Sequence, residues 1–324
     1  MRSPRFRPIL HLSLGLLAGC APMAAAPAGP AAEVSPPPGM PVLEGTLMNQ
    51  VTRLEKDLPR AATEGFTIPE DAEMTAFSDI PADLREGRLE LALTSAQANA
   101  YELFWYTDRN DKGAVSYLLR EADPSRKGWG VYAFRVATES SLIVEAPHPL
   151  ADADTPSVSV AIYRDLNARA LLIAGAHRDA NRDGSADAAH DPQTVFQAIH
   201  ESELRQSLSS TDSAIVLQIH GFAASSHPAY PQVIVSYEHG RDINPANLVQ
   251  GQLIESAIVK ALQQRGVEAG TCGGGQWRDL CGSTNIQAST MSQGLFIHLE
   301  LDDSVRREDK QLRAALADAL GVQP

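Results

Sequence analysis

From about residue 140 onward the sequence alternates short apolar runs with longer amphipathic ones, and this alternation restricts the fold more than any other feature. SLIVEAPH, ARALLIAGAH, SAIVLQIHGF, QVIVSYE and GLFIHLEL are short and apolar, as buried strands are. Between them, Thr155-Pro156 opens a helix expected to reach about Asn167, with proline in its first turn. PQTVFQAIHESELRQSL is amphipathic, NLVQGQLIESAIVKALQQRG is a long helix stopped by Gly266, and EDKQLRAALADALG supplies the last helix. Strands alternating with helices predict a three-layer α/β domain with a mostly parallel sheet over residues 140–324, a length that suits one such domain.

The preceding residues have a different texture. Residues 41–139 are expected to form an N-terminal extension with a helical segment near Leu47 to Leu58, followed by a short β-rich part. ELFWYTDR, AVSYLLREA and GWGVYAFRV, separated by turn-forming residues, predict an antiparallel meander. Residues 20–40 are rich in Ala and Pro and read as a tether. Residues 1–19 read as a leader: Arg2, Arg5 and Arg7 precede an apolar stretch from Ile9 to Leu17. That stretch is shorter than the roughly 20 residues of a membrane-spanning helix. Leu17-Ala18-Gly19-Cys20 resembles the bacterial lipobox, which implies cleavage before Cys20 and lipid on that cysteine. The expected location is therefore the cell envelope, anchored to the periplasmic face of a membrane.

The formal charge of −13 becomes −16 once a leader with three arginines and no acid is removed. So acidic a chain is ill suited to nucleic acid, or to an anionic bilayer without the lipid. Cys272 and Cys281 lie in TCGGGQWRDLC and are expected to form a disulfide in an oxidising compartment.

Three of the expected strands end in chemistry. SLIVEAP delivers His148, SAIVLQI delivers His220, and GLFIHL delivers Glu300. In open α/β sheets, ligands sit outside the carboxyl ends of the strands. Two histidines and one carboxylate are a usual ligand set for a catalytic zinc, leaving a fourth position for water. His148, Asp152 and His220 are the candidate ligands, with Asp154 or Glu145 as alternative acids, and Glu300 is the candidate general base. A single zinc ion is the expected cofactor.

EAPHPLADADT, AHRDANRD, VLQIHGF and FIHLELDDSVRR, in that order over residues 140–310, resemble the N-formylglutamate amidohydrolase-like proteins and, more broadly, the zinc carboxypeptidases. The resemblance implies a phosphorylase/hydrolase-like fold and hydrolysis of an amide next to a free carboxylate, in a small peptide, an N-acyl amino acid or a peptidoglycan-derived substrate. His148-x-x-x-Asp152 departs from the carboxypeptidase His-x-x-Glu. Guanidinium matches a carboxylate bidentately, so Arg178 and Arg182 are candidate substrate-binding residues. Asn285, with Gln287, is a candidate for hydrogen bonding to the substrate's amide. A second reading of the same segment places Asp179, Asn181, Asp183, Gly184 and Asp187 at positions of a calcium loop, although His190 stands where the bidentate glutamate belongs. His190, His200, His227 and His239 are expected to have surface or capping roles. The rival to a hydrolase is an envelope-binding or assembly lipoprotein that keeps the fold without turnover. Metal-assisted phosphoester hydrolysis ranks below both, and no nucleophile-elbow context supports a serine hydrolase.

Overall fold

Period-two alternation decides which way each strand side chain faces, and in the central strands it separates an apolar face from a mixed one. The computed structural model describes residues 35–322 apart from 112–113, 123–126, 139, 209–212 and 273–275. The expected leader, Cys20 and most of the tether lie outside the described residues. Four central strands run parallel in the order β6 (Ala170–Ile173), β5 (Leu142–Ala146), β7 (Ile215–Gly221) and β10 (Leu295–Leu301). Beyond β10 lie β8 (Val233–Glu238), which is antiparallel to it, and β9 (Ala269–Thr271).

On the other side the sheet does not stop at the boundary expected near residue 140. β4 (Val131–Arg135) pairs antiparallel with β6, and β3 (Val115–Glu121) and β2 (Tyr101–Asp108) continue the meander. β1 (Val42–Gly45) completes the edge, giving one mixed sheet of ten strands among the described residues. The meander is antiparallel as expected, but its strands extend the central sheet rather than form a separate one. The parallel character is concentrated in the centre.

Helices cover both faces. α1 (Leu47–Glu55), α4 (Thr155–Asp165), α6 (Pro245–Gln263) and α9 (Lys310–Leu320) pack on one face against Val144, Leu217, Ile219, Ile297 and Leu299. α2 (Asp71–Arg85), α3 (Leu89–Ala98) and α5 (Val195–Leu208) cover the other, where Ile143, Val216 and Phe296 are apolar. On this second face the alternation continues into Glu145, Gln218, His220, His298 and Glu300, all buried. Parallel register sets Glu145 beside Gln218 and His220 beside Glu300.

Helix starts follow local chemistry. Asn244 caps α6 by accepting from the Asn247 N–H, with Pro245 in the first turn. α4 begins after Asp154, which sits at φ 68° with Pro156 in the first turn. The Cys272–Cys281 disulfide is formed. No helix among the described residues is long and apolar enough to cross a membrane.

Residues 36–324 form one compact unit. Phe77 of α2 is fully buried and meets Tyr101 and Trp129 edge-on, with ring centroids at 4.7 and 5.5 Å. Phe77→Ala should therefore cost about 3–5 kcal/mol. Urea denaturation should show one transition moved to lower midpoint, because the N-terminal helices share the sheet's core. A separate early transition would mean that they unfold on their own.

Candidate metal centre

The chain leaves β5 through Pro147 and turns at once. The Asp152 N–H donates to the His148 carbonyl (2.9 Å), and the Thr155 hydroxyl donates to the Asp152 carbonyl (2.7 Å). This helical turn folds the Asp152 carboxylate back over the His148 ring. His220 arrives on β7, two strands' width from the β6 edge of the parallel core, and the His148 and His220 ring centroids are 4.8 Å apart.

One oxygen, Asp152 Oδ2, faces both rings. It lies 3.3 Å from His148 Nδ1 and 3.1 Å from His220 Nδ1. The outer nitrogens are engaged elsewhere: His148 Nε2–H donates to Asp187 Oδ1 (2.8 Å), and His220 Nε2 lies 2.8 Å from Gln218 Oε1. The donor atoms of His148, Asp152 and His220 all lie within 4.8 Å of one another, a grouping that suits one metal ion. Of the three acids considered, Asp152 is the one that joins the histidines. Asp154 is exposed at the start of α4, and Glu145 is buried against His200 and Gln218.

Glu300 is buried beside the cluster, its Oε2 without a hydrogen-bond partner among the described residues. It groups with His220 and His298. His298 lies under Gly282, whose φ is +68° and where an added Cβ would come within 2.6 Å of the imidazole. The glycine thus supplies both a backbone conformation and the space for the ring.

Arg178 donates to Asp187 Oδ2 (2.6 Å) and remains partly open to solvent, next to the cluster through that shared acid. Arg182 is not brought in: it is 78% exposed and pairs with Glu64 at 3.6 Å. Asn285 is buried and caps α7 (Ile286–Thr290), accepting from the Ala288 N–H (3.1 Å) while its amide donates to Gln218. The five calcium-loop positions do not converge. Asp183 accepts from Ser185, Asn181 bonds the Phe66 backbone, and Asp187 turns to His148 and Arg178. His177 accepts from the Asp179 N–H within its own loop.

Sequence reasoning missed Asp187 as a partner of His148, and it missed Gln218 and His298. Each of the last two lies two residues before a candidate residue on the same strand face, so strand alternation carried the signal. His200 is fully buried against Glu145 (2.6 Å), not at the surface as expected, because α5 lays that side chain onto the sheet. His190 is partly exposed and bonds Asp187 (3.1 Å) and Thr284 (3.1 Å).

Two largely buried acids dominate the electrostatics of the cluster. Burial opposes charge on His148, but the Asp152 and Asp187 carboxylates outweigh it and push the imidazole up to about 9. Both acids resist protonation, their burial overcome by the histidines they bond. Burial, with the Asp152 charge adding to it, holds the Glu300 carboxyl well above the usual carboxylate range.

No protein-family model matches the chain, and no characterised sequence does. Among solved structures, the bacteriophage poly-gamma-glutamate hydrolase is 12% identical, with 57% of this chain and 84% of that one covered at a TM-score of 0.37. The N-formylglutamate amidohydrolase from Ralstonia eutropha is 10% identical over 59% of this chain and 97% of that one, with a TM-score of 0.37. The metallo-carboxypeptidase from Burkholderia cenocepacia is 15% identical over 72% of this chain and 68% of that one, with a TM-score of 0.32. None of these likenesses carries the functional reading, which rests on the donor atoms above.

Because His148 holds a proton below about 9, a metal ion entering beside Asp152 must displace it. Apparent zinc affinity should therefore rise with pH, by about tenfold per unit between pH 6 and 7.5 for one released proton. Competition titration with a chromophoric chelator at fixed ionic strength measures this slope. A flat profile would place the metal elsewhere.

Proposed function

We propose that this chain is a zinc-dependent hydrolase that cleaves an amide bond next to a free carboxylate, in a small peptide or an N-acyl amino acid. The observation that supports it is the convergence of His148 Nδ1, Asp152 Oδ2 and His220 Nδ1, three atoms able to ligate a metal once His148 loses its proton, gathered at the carboxyl ends of parallel strands. Two imidazoles and one carboxylate are the ligand set of several catalytic zinc sites, and the donor chemistry here fits it. The chemistry such an ion supplies when bound is Lewis acidity toward water and toward a carbonyl oxygen.

The chain's own groups account for binding and proton movement. Glu300, buried and without a hydrogen-bond partner on Oε2 among the described residues, would ionise once a bound cation offsets the burial that favours its protonated form. It would then take a proton from water and return it to the departing amine nitrogen. Arg178, fixed by Asp187 and partly open, holds the substrate carboxylate. His190 stands beside the same acid, exposed, with its Nε2 3.1 Å from the Thr284 hydroxyl. Lipid on Cys20 would keep the enzyme at the periplasmic face of the envelope, where peptides and peptidoglycan fragments are met.

Residues 36–324 should bind about one zinc ion per chain, and His148→Ala/His220→Ala should abolish that binding. Elemental analysis of both proteins after zinc loading and gel filtration decides the point. Glu300→Gln should retain the metal and lose turnover of N-acyl amino acids by about 10²–10⁴-fold. A wild-type chain that takes up no zinc would remove the hydrolase reading and favour an envelope-binding lipoprotein.

A further inference from the structure

Beside the candidate ligands lies a network of buried side chains: Glu145, His200, Gln218, Asn285 and Gln287, each at most 3% exposed. We propose that Gln218 is a positioning residue that holds His220 as the tautomer protonated on Nε2, leaving Nδ1 as the atom available to a metal ion. The inference rests on the metal-site reading above.

A neutral imidazole carries one N–H, and the partner of one nitrogen decides which. For His220 that partner is Gln218, 2.8 Å from Nε2. A glutamine offers either an acceptor or a donor, depending on how its amide is turned, and the turn is read from what each end bonds. Here three independent anchors give the same answer.

The first is a backbone donor. The Ala288 N–H can only donate, so the atom of Asn285 that it meets at 3.1 Å is Oδ1. The other end of that amide is therefore NH2, and it donates to Gln218, whose receiving atom must be Oε1. The second anchor is a backbone acceptor. The Ala188 carbonyl accepts from Gln287 Nε2 at 2.8 Å, so Gln287 turns Oε1 toward Gln218 and meets its NH2 at 3.1 Å. The third is charge: Glu145 Oε2 accepts from the same NH2 at 2.9 Å, while Glu145 Oε1 accepts from His200 Nδ1–H at 2.6 Å.

Every position on the Gln218 amide is then filled. Its NH2 gives one hydrogen to Glu145 and one to Gln287, and its oxygen accepts from Asn285 and from His220. An oxygen in that place can only accept, so His220 Nε2 must carry the hydrogen. The lone pair of Nδ1 then points at Asp152 Oδ2, 3.1 Å away, two acceptors that a cation between them would satisfy. Asn285 and Gln287 thereby serve the ligand's orientation, and Gln287 Nε2 commits both of its hydrogens, to the Ala188 carbonyl and to Gln197 Oε1.

The test is long-range proton–nitrogen correlation NMR on residues 36–324 with labelled histidine, at pH 8, metal-free and after adding zinc. His220 is identified by the signal lost in His220→Asn. The expected spectrum has His220 protonated on Nε2 before zinc is added, with zinc moving the Nδ1 resonance. Gln218→Met, which removes the acceptor at similar volume, should mix the tautomers and weaken zinc binding about 10–100-fold. Glu145→Gln leaves the two backbone anchors in place and should keep the single tautomer, with zinc affinity within about threefold, well short of that loss. His220 protonated on Nδ1 in the wild type overturns the proposal, as does a single Nε2–H tautomer that survives Gln218→Met with unchanged zinc affinity. Should Gln218→Met not fold, the wild-type spectrum decides. A wild type with the Nε2–H tautomer that binds no zinc would sink the hydrolase reading and leave the lock standing.

Discussion

Glu145, Gln218, His220, His298 and Glu300 interrupt an otherwise apolar sheet face, and the helices on that face are arranged to meet them. Burying polar groups costs free energy unless each finds a partner, and burying charge costs more. His200 from α5 and the Asn285–Gln287 turn of α7 supply partners to Glu145 and Gln218, and Gln197 of α5 bonds Gln287 in turn. The candidate site is thus the extension of one buried polar layer to the strand ends.

That layer depends in turn on how firmly α5 is seated. Glu203 near the end of α5 pairs with Arg85 of α2 (2.5 Å) and with Arg169 at the start of β6 (3.1 Å). Asn181 bonds both the N–H and the carbonyl of Phe66, tying the loop that carries Arg178 and Asp187 to the N-terminal segment. The residues before 140 therefore brace the helix and loop that shape the site. Removing one partner of such a buried pair costs more than the pair contributes, because the other charge is left uncompensated.

Charge at the site is organised around two acids. Asp152 faces both imidazoles through one oxygen, whereas Asp187 joins His148, His190 and Arg178. Asp187 sets the His148 ring and at the same time anchors the partly exposed Arg178 guanidinium. An acid that bonds a ligand's outer nitrogen raises its basicity and fixes its orientation. On the neighbouring strand a neutral amide, Gln218, takes that place for His220. The two histidines are thus oriented by different means, one by a carboxylate and one by a hydrogen-bonded amide whose direction the backbone sets.

The sequence by itself determined the alternating α/β pattern, the antiparallel meander, the disulfide pair and the strand-end positions of His148, His220 and Glu300. Those follow from local rules: period two in strands, proline and capping residues at helix starts, and polar residues at the ends of apolar runs. Only the tertiary structure decided that the meander joins the central sheet, that Asp152 and not Glu145 or Asp154 meets the histidines, and that Arg182 stays at the surface. It also decided the roles of Asp187, Gln218 and His200, which bond residues 39, 69 and 55 positions away among their partners. A side chain's identity says what it can bond, but the partner it finds depends on strand order and helix docking. Both are set by burial of the whole apolar surface, which no local stretch of sequence encodes.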